Sequence, residues 1–264
     1  MRRSNKWDAR TSLGVLALVA PVLALLMQSP VFGVDYATVY ETSFSVDPNW
    51  VTDQPANYYW DSVNGVYHAT TVNAQPGPSP TRYAYTLVNY SGGSFRLEFD
   101  MAPTDIQWSA GLGFGLYDAS LTTWPPATPD RHWVHVFIGR SDGGEVLQLT
   151  VRGASGVSQY AQLWNVLSDG TWYHFVLEYD SSTDALTLTT TVRSTGAVVG
   201  VMQAPNVGGL PADLDYLGFA RDPVGECCPP VGPGCNGYSC STSATALLDN
   251  VRLTAPGGAC CLPN

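Results

Sequence analysis

An all-β, two-sheet antiparallel jelly-roll sandwich is the fold class this sequence predicts, and three observations predict it. From Val39 onward almost no segment shows helical periodicity; short runs alternate apolar and polar residues instead, with Gly, Pro, Asn and Asp clusters between them. About thirteen such runs follow one another without an obvious linker, which favours two stacked sheets that protect each other's inner faces. No repeat of fixed period is present, which argues against a propeller.

The elements follow in chain order. Residues 1–33 carry Arg2, Arg3, Lys6 and Arg10 ahead of the apolar run Leu13–Met27, the pattern of a secretory signal peptide. Cleavage after Gly33 or after Ala37 fits. Pro21 interrupts the run, and it is short for a span of about 20 residues, so an uncleaved anchor is the weaker reading. Strands are predicted at 39–46, 64–72 and 82–88, then at 93–102 and 109–118, where Phe95, Leu97, Phe99 and Met101 share one face and Arg96, Glu98 and Asp100 the other. Further strands are predicted at 132–139, 145–151 and 157–165. Next come 171–180 and 184–192, two arms rich in aromatic and β-branched residues around the turn Ser181–Asp184, a β-hairpin. In its second arm Leu186, Leu188, Thr190 and Val192 oppose a ladder of Thr187, Thr189 and Thr191. Strands at 197–204, 214–221 and 244–254 complete the set. Trp60, Trp164 and Trp172 read as core residues.

The hairpin with its lead-in "DGTWYHFVLEYD", the opening "YETSF" and the closing "SATALLDNVRLTA" resemble the concanavalin A-like lectin/glucanase group, laminin-G-like domains included. The resemblance implies one jelly-roll domain over 34–255. A Cys-rich insertion at 222–243 departs from the simpler members, and a Cys-containing tail covers 256–264. The laminarinase-like glucanases of that group carry a Glu-x-Asp-x-x-Glu strand. Glu98 and Asp100 match its first two carboxylates, but Ala102 and Pro103 stand where the third belongs. A retaining glycosidase needs two carboxyl groups about 5–5.5 Å apart, so this strand reads as a solvated sheet face bearing an Arg96–Glu98 charge pair.

Charge and cysteine usage narrow the partners. Loss of 1–33 removes four of twelve basic residues and one of 22 acidic ones, leaving eight arginines, no lysine and a net charge of −13. So acidic a chain repels nucleic acid and anionic lipid. Once the signal is cleaved no membrane span is expected, and the destination is secreted, extracellular or on a cell surface. Cys227, Cys228, Cys235, Cys240, Cys260 and Cys261 are an even count in an exported chain, which favours disulfides over a zinc cage. Six cysteines allow 15 pairings, and sequence does not choose among them.

His68, His132, His135 and His174 are scattered and form no catalytic or metal-binding motif; His174 reads as packed beside Trp172. Sugars are recognised through C–H faces lying on aromatic rings. Trp124, inside the proline-stiffened loop 119–131, is the first candidate for an exposed binding platform, followed by Tyr59 and Trp108. A structural calcium that ties the first strand to the last would use Glu41 and Asp249, since Ca²⁺ prefers 6–8 oxygen ligands. Three function classes stand: a non-catalytic module that binds carbohydrate or a cell-surface ligand, a structural or adhesive segment of a larger surface protein, and a glycoside hydrolase or lyase.

Overall fold

The computed structural model describes residues 36–72, 83–90, 92–107, 110–122, 131–141, 143–156, 158–220 and 243–257. The proposed signal peptide, Trp108, Trp124 and all six cysteines lie outside the described residues. Fifteen strands run in chain order: β1 (Tyr36–Thr42), β2 (Val51–Thr52), β3 (Tyr58–Asp61), β4 (Val66–Val72), β5 (Tyr83–Leu87), β6 (Phe95–Ile106), β7 (Gly111–Tyr117), β8 (Trp133–Ser141), β9 (Gly144–Arg152), β10 (Ser158–Trp164), β11 (Tyr173–Asp180), β12 (Ala185–Val192), β13 (Val198–Pro205), β14 (Tyr216–Ala220) and β15 (Ser243–Pro256). A single 3₁₀ turn at Ala119–Thr122 is the one helical element among the described residues, and none of them forms a helix long and apolar enough to cross a membrane.

All pairings are antiparallel. The first sheet has the order β13-β12-β11-β6-β15-β4-β3, with β1 also paired to β15; the second has the order β10-β9-β8-β7-β14-β5-β2. Strict alternation along each strand decides what meets between them. Leu97, Phe99 and Met101 of β6 and Phe175 and Leu177 of β11 face Phe114 and Leu116 of β7 and Phe219 of β14, all fully buried. Phe99 lies edge-on to Phe114 with ring centroids 4.7 Å apart, and Phe114 continues to Phe219 at 4.9 Å. These rings lock the two sheets in one relative position. The consequence for function is that every other residue of each strand projects from an outer face, where nothing in the core constrains its type.

Two sequence expectations need correction. Trp164 is not a core residue: it projects from edge strand β10 and is 40% exposed. Trp172 is only half-buried, with the Arg193 guanidinium 5.2 Å from its ring, while Trp60 packs against the core and donates its Nε1–H to the Phe44 carbonyl.

Candidate functional site

The second sheet builds an outer face dominated by rings and glycines. In β7, Leu112, Phe114 and Leu116 enter the core, so Gly111, Gly113, Gly115 and Tyr117 must point outward. Cross-strand register then sets one row as Tyr85, Gly218, Gly115, His135, Thr150 and Tyr160. The neighbouring row reads Tyr216, Tyr117, Trp133, Arg152 and Ser158. Glycine lets the strands and rings approach closely. A Cβ on Gly111 would stand 2.1 Å from Phe137 Cζ, so the Phe137 ring lies flat across β7 and β8; one on Gly218 would stand 2.0 Å from the Ala84 carbonyl.

The rings are ordered as well as numerous. Tyr117 and His135 stack at 5.5 Å and 26°, Trp133 continues the series at 6.4 Å from His135, and Arg152 lies 5.6 Å from the Trp133 ring. Tyr117, His135 and Phe137 are buried and form the middle of this face. Two accessible banks flank it. On one side Tyr83, Tyr85 and Tyr216 are half-exposed and packed at 5.5 and 4.8 Å. On the other, edge strand β10 presents Tyr160, 69% exposed, and Trp164. Five strand spacings separate the banks, roughly 24 Å of sheet. No Asp or Glu occupies an outward position on β5, β14, β7, β8, β9 or β10.

The outer face of the first sheet has the opposite character. His174 donates from Nδ1 to Asp100 Oδ1 at 2.8 Å; Arg193 Nε and Asn250 Nδ2 bond Asp100 Oδ2 at 3.1 and 2.8 Å. Arg96 bridges Glu98 at 2.9 Å and Glu178 at 2.6 Å. Asp100 is therefore buried among donors, not on the solvated face its alternation suggests, whereas the Arg96–Glu98 pair is present. His174 is engaged by that carboxylate instead of being packed only beside Trp172. Burial pushes the Asp100 carboxyl up, but the His174 and Asn250 hydrogen bonds and the Arg193 charge outweigh it and hold the group below its ordinary range. Glu98 behaves alike: burial raises it, and Arg96, with help from His174 and Arg252, brings it below. The Asp100 hydrogen bond raises His174, against burial.

The proposed calcium ligands do not assemble. β1 and β15 are paired as expected, but Glu41 stands opposite Arg252, while Asp249 bonds Arg193 at 3.1 Å and Asn250 at 3.2 Å. Among the described residues no group of three His, Cys, Asp or Glu is placed to hold a metal ion. The groups around Asp100 and Asp249 are cationic or amide donors, His174, Arg193 and Asn250. Tyr59 is exposed, but one face of its ring is covered by His68 at 4.7 Å and 5°, on the edge strand of the first sheet. The sequence reading missed Tyr83, Tyr85, Tyr160 and Tyr216. The available signal was the period-two Gly111-Leu112-Gly113-Phe114-Gly115 pattern, which leaves one strand face bare beside tyrosine-bearing neighbours.

No protein-family model and no curated protein matches the chain. Solved structures do. The basic winged bean lectin, crystallised with Tn-antigen, superposes with a TM-score of 0.56 at 15% identity, covering 85% of this chain and 100% of the lectin. The acidic winged bean lectin, in complex with methyl-α-D-galactose, gives 0.55 at 16% identity, over 84% and 98% of the two chains. Peanut lectin, with a nine-residue peptide, gives 0.54 at 16% identity, over 83% and 97%. Two antiparallel sheets in this order, matched over nearly the whole length of those chains, give this protein the concanavalin A-like jelly-roll fold of the legume lectins.

Proposed function

We propose that the protein is a secreted, non-catalytic carbohydrate-binding module, and that the ring-lined outer face of the second sheet is its binding surface. One observation carries the reading: in an acidic chain, one sheet face concentrates Tyr83, Tyr85, Tyr216, Tyr160 and Trp164 at outward positions free of carboxylates. Apolar rings left accessible in register suit the C–H faces of successive sugar units, and their spacing suits an extended glycan better than one residue of it. The lectin-like neighbours, two of them crystallised with sugars, support the same class of ligand. The non-catalytic reading rests on the first sheet. Glycosidic cleavage needs one carboxyl group held protonated, and both Glu98 and Asp100 are pulled the other way. Export and the laminin-G-like kinship of the hairpin belong to the same proposal.

Tyr160→Ala and Trp164→Ala test the surface. Both side chains are accessible on an edge strand, so the fold tolerates their loss. The expected result is that the double variant binds the glycans retained by the wild type on a glycan array at least about tenfold more weakly, with its thermal midpoint little changed. Undiminished binding by the double variant refutes the assignment of this face.

A further inference from the structure

We infer that the protein has a second ligand site on the opposite side of the sandwich, a cleft of about 500 Å³ on the outer face of the first sheet that takes one unit of a neutral, polyhydroxylated ligand such as a single sugar ring. The inference does not depend on the ring-lined face. The volume lies within the roughly 300–1,000 Å³ of small-molecule sites. The cleft opens between the end of β1 with the segment that follows it and the polar face of β6, β11 and β15, with Glu98 and His174 from the sheet, Thr42 from the end of β1 and Ser43 and Ser45 from the segment among its lining residues.

Backbone irregularity on both sides makes the space. β15 carries a bulge between Asp249 and Arg252, and Asn250 within it adopts a φ of 49°. Across the cleft the chain leaves β1 through Phe44, whose φ is 52°. A non-glycine residue in the left-handed region costs stability, most of all an aromatic one, and bulges recur where a strand must re-aim its side chains. Here the bulge turns Asn250 toward Asp100, so Arg252 stands beside Glu98 in register.

The polar groups of the lining are held from behind. Arg96 occupies Glu98 Oε1, leaving Oε2 without a donor among the described residues, and Asp100 occupies His174 Nδ1, leaving Nε2, which lies 3.8 Å from Glu98 Oε1. Thr42 Oγ1 accepts from the Phe44 amide, so its own proton is free to donate. Two carboxylates, Glu41 and Glu98, share the lining with Arg252 and His174, so neither sign of charge has it to itself. Interleaved acidic and basic groups disfavour an ion of either sign; oriented acceptors and donors side by side suit vicinal hydroxyl groups that must both give and receive hydrogen bonds.

Isothermal titration of the full chain tests the site, with D-glucose, D-galactose, D-mannose and L-fucose as probes and glucuronate and glucosamine as charged controls. The expected result is saturable binding of at least one neutral sugar, weakened about tenfold or more by Glu98→Gln and retained by the Tyr160→Ala/Trp164→Ala variant. If Glu98→Gln does not fold, Val46→Trp serves: Val46 is 70% exposed at the cleft, and an indole there obstructs it without touching the core. No saturation by any neutral sugar, preference for a charged control, or indifference to both cleft variants overturns the proposal. Loss of the signal in the Tyr160/Trp164 variant also overturns it, and assigns the binding to the other face.

Discussion

Asp100 is the residue on which the polar face turns. Its carboxylate accepts hydrogen bonds from His174 and Asn250 and pairs with the Arg193 guanidinium, groups on three neighbouring segments, so Asp100→Ala removes a partner from each of them at once. Because Arg193 and His174 remain partly accessible to water, the cost is expected near 1–3 kcal/mol by urea denaturation, not the larger penalty of a dry ion pair. The same cluster makes stability depend on pH in two directions. His174 binds its proton more tightly in the folded protein, so its contribution is complete below its unfolded pKa of about 6.5 and is lost as pH rises through the folded value above that. Asp100 and Glu98 are held low, so their contribution is complete above about pH 4 and is lost as pH falls through their depressed values. His174→Gln is therefore expected to lower the thermal midpoint in mildly acid buffer, with the difference from wild type shrinking toward alkaline pH. A constant difference across that range counts against the assignment.

At the scale of elements, what could be read from the sequence depended on how local each signal is. The hairpin predicted at 171–180 and 184–192 is found as β11 and β12 at Tyr173–Asp180 and Ala185–Val192, because alternation and turn chemistry are both contained in twenty residues. β3 was missed: four residues, Tyr58–Asp61, are too few to show a period. The strand predicted at 93–102 runs on as β6 to Ile106, through Pro103, which has no ladder donor, and the register slips between Thr245 and Ala246 of β15 where it passes the proline. The glycines of β7 and β14 are where an element's sequence is most constrained. Gly218→Ala drives a Cβ against the backbone carbonyl of Ala84, which no rotamer relieves, and is expected to cost about 1–3 kcal/mol. Gly111→Ala meets chiefly the Phe137 ring, which can tilt, and its Cβ stands 3.0 Å from the Ile138 carbonyl, a milder approach than the 2.0 Å at Gly218. Urea midpoints should rank Gly218→Ala as the more damaging of the two.

For the whole molecule, short-period alternation made the sandwich legible in the sequence but not the ring-lined outer face of its second sheet. The row Tyr85, Gly218, Gly115, His135, Thr150 and Tyr160 joins residues more than 130 positions apart, and only the strand order of the folded sheet brings them together. Trp124 stood out in the sequence because its loop is conspicuous, whereas the tyrosines are unremarkable until their register is known. Net charge acts at this scale too. With a formal charge of −10 over the whole chain, self-repulsion opposes the compact state, and the thermal midpoint is expected to climb as sodium chloride is raised from a few millimolar to a few hundred. A midpoint that does not move with salt means the charges are locally compensated. β1 lies against β15, with Tyr36 opposite Pro256. The described polypeptide enters and leaves the sandwich side by side, so a short linker between those points and a cut in another loop should give a circular permutant that still folds.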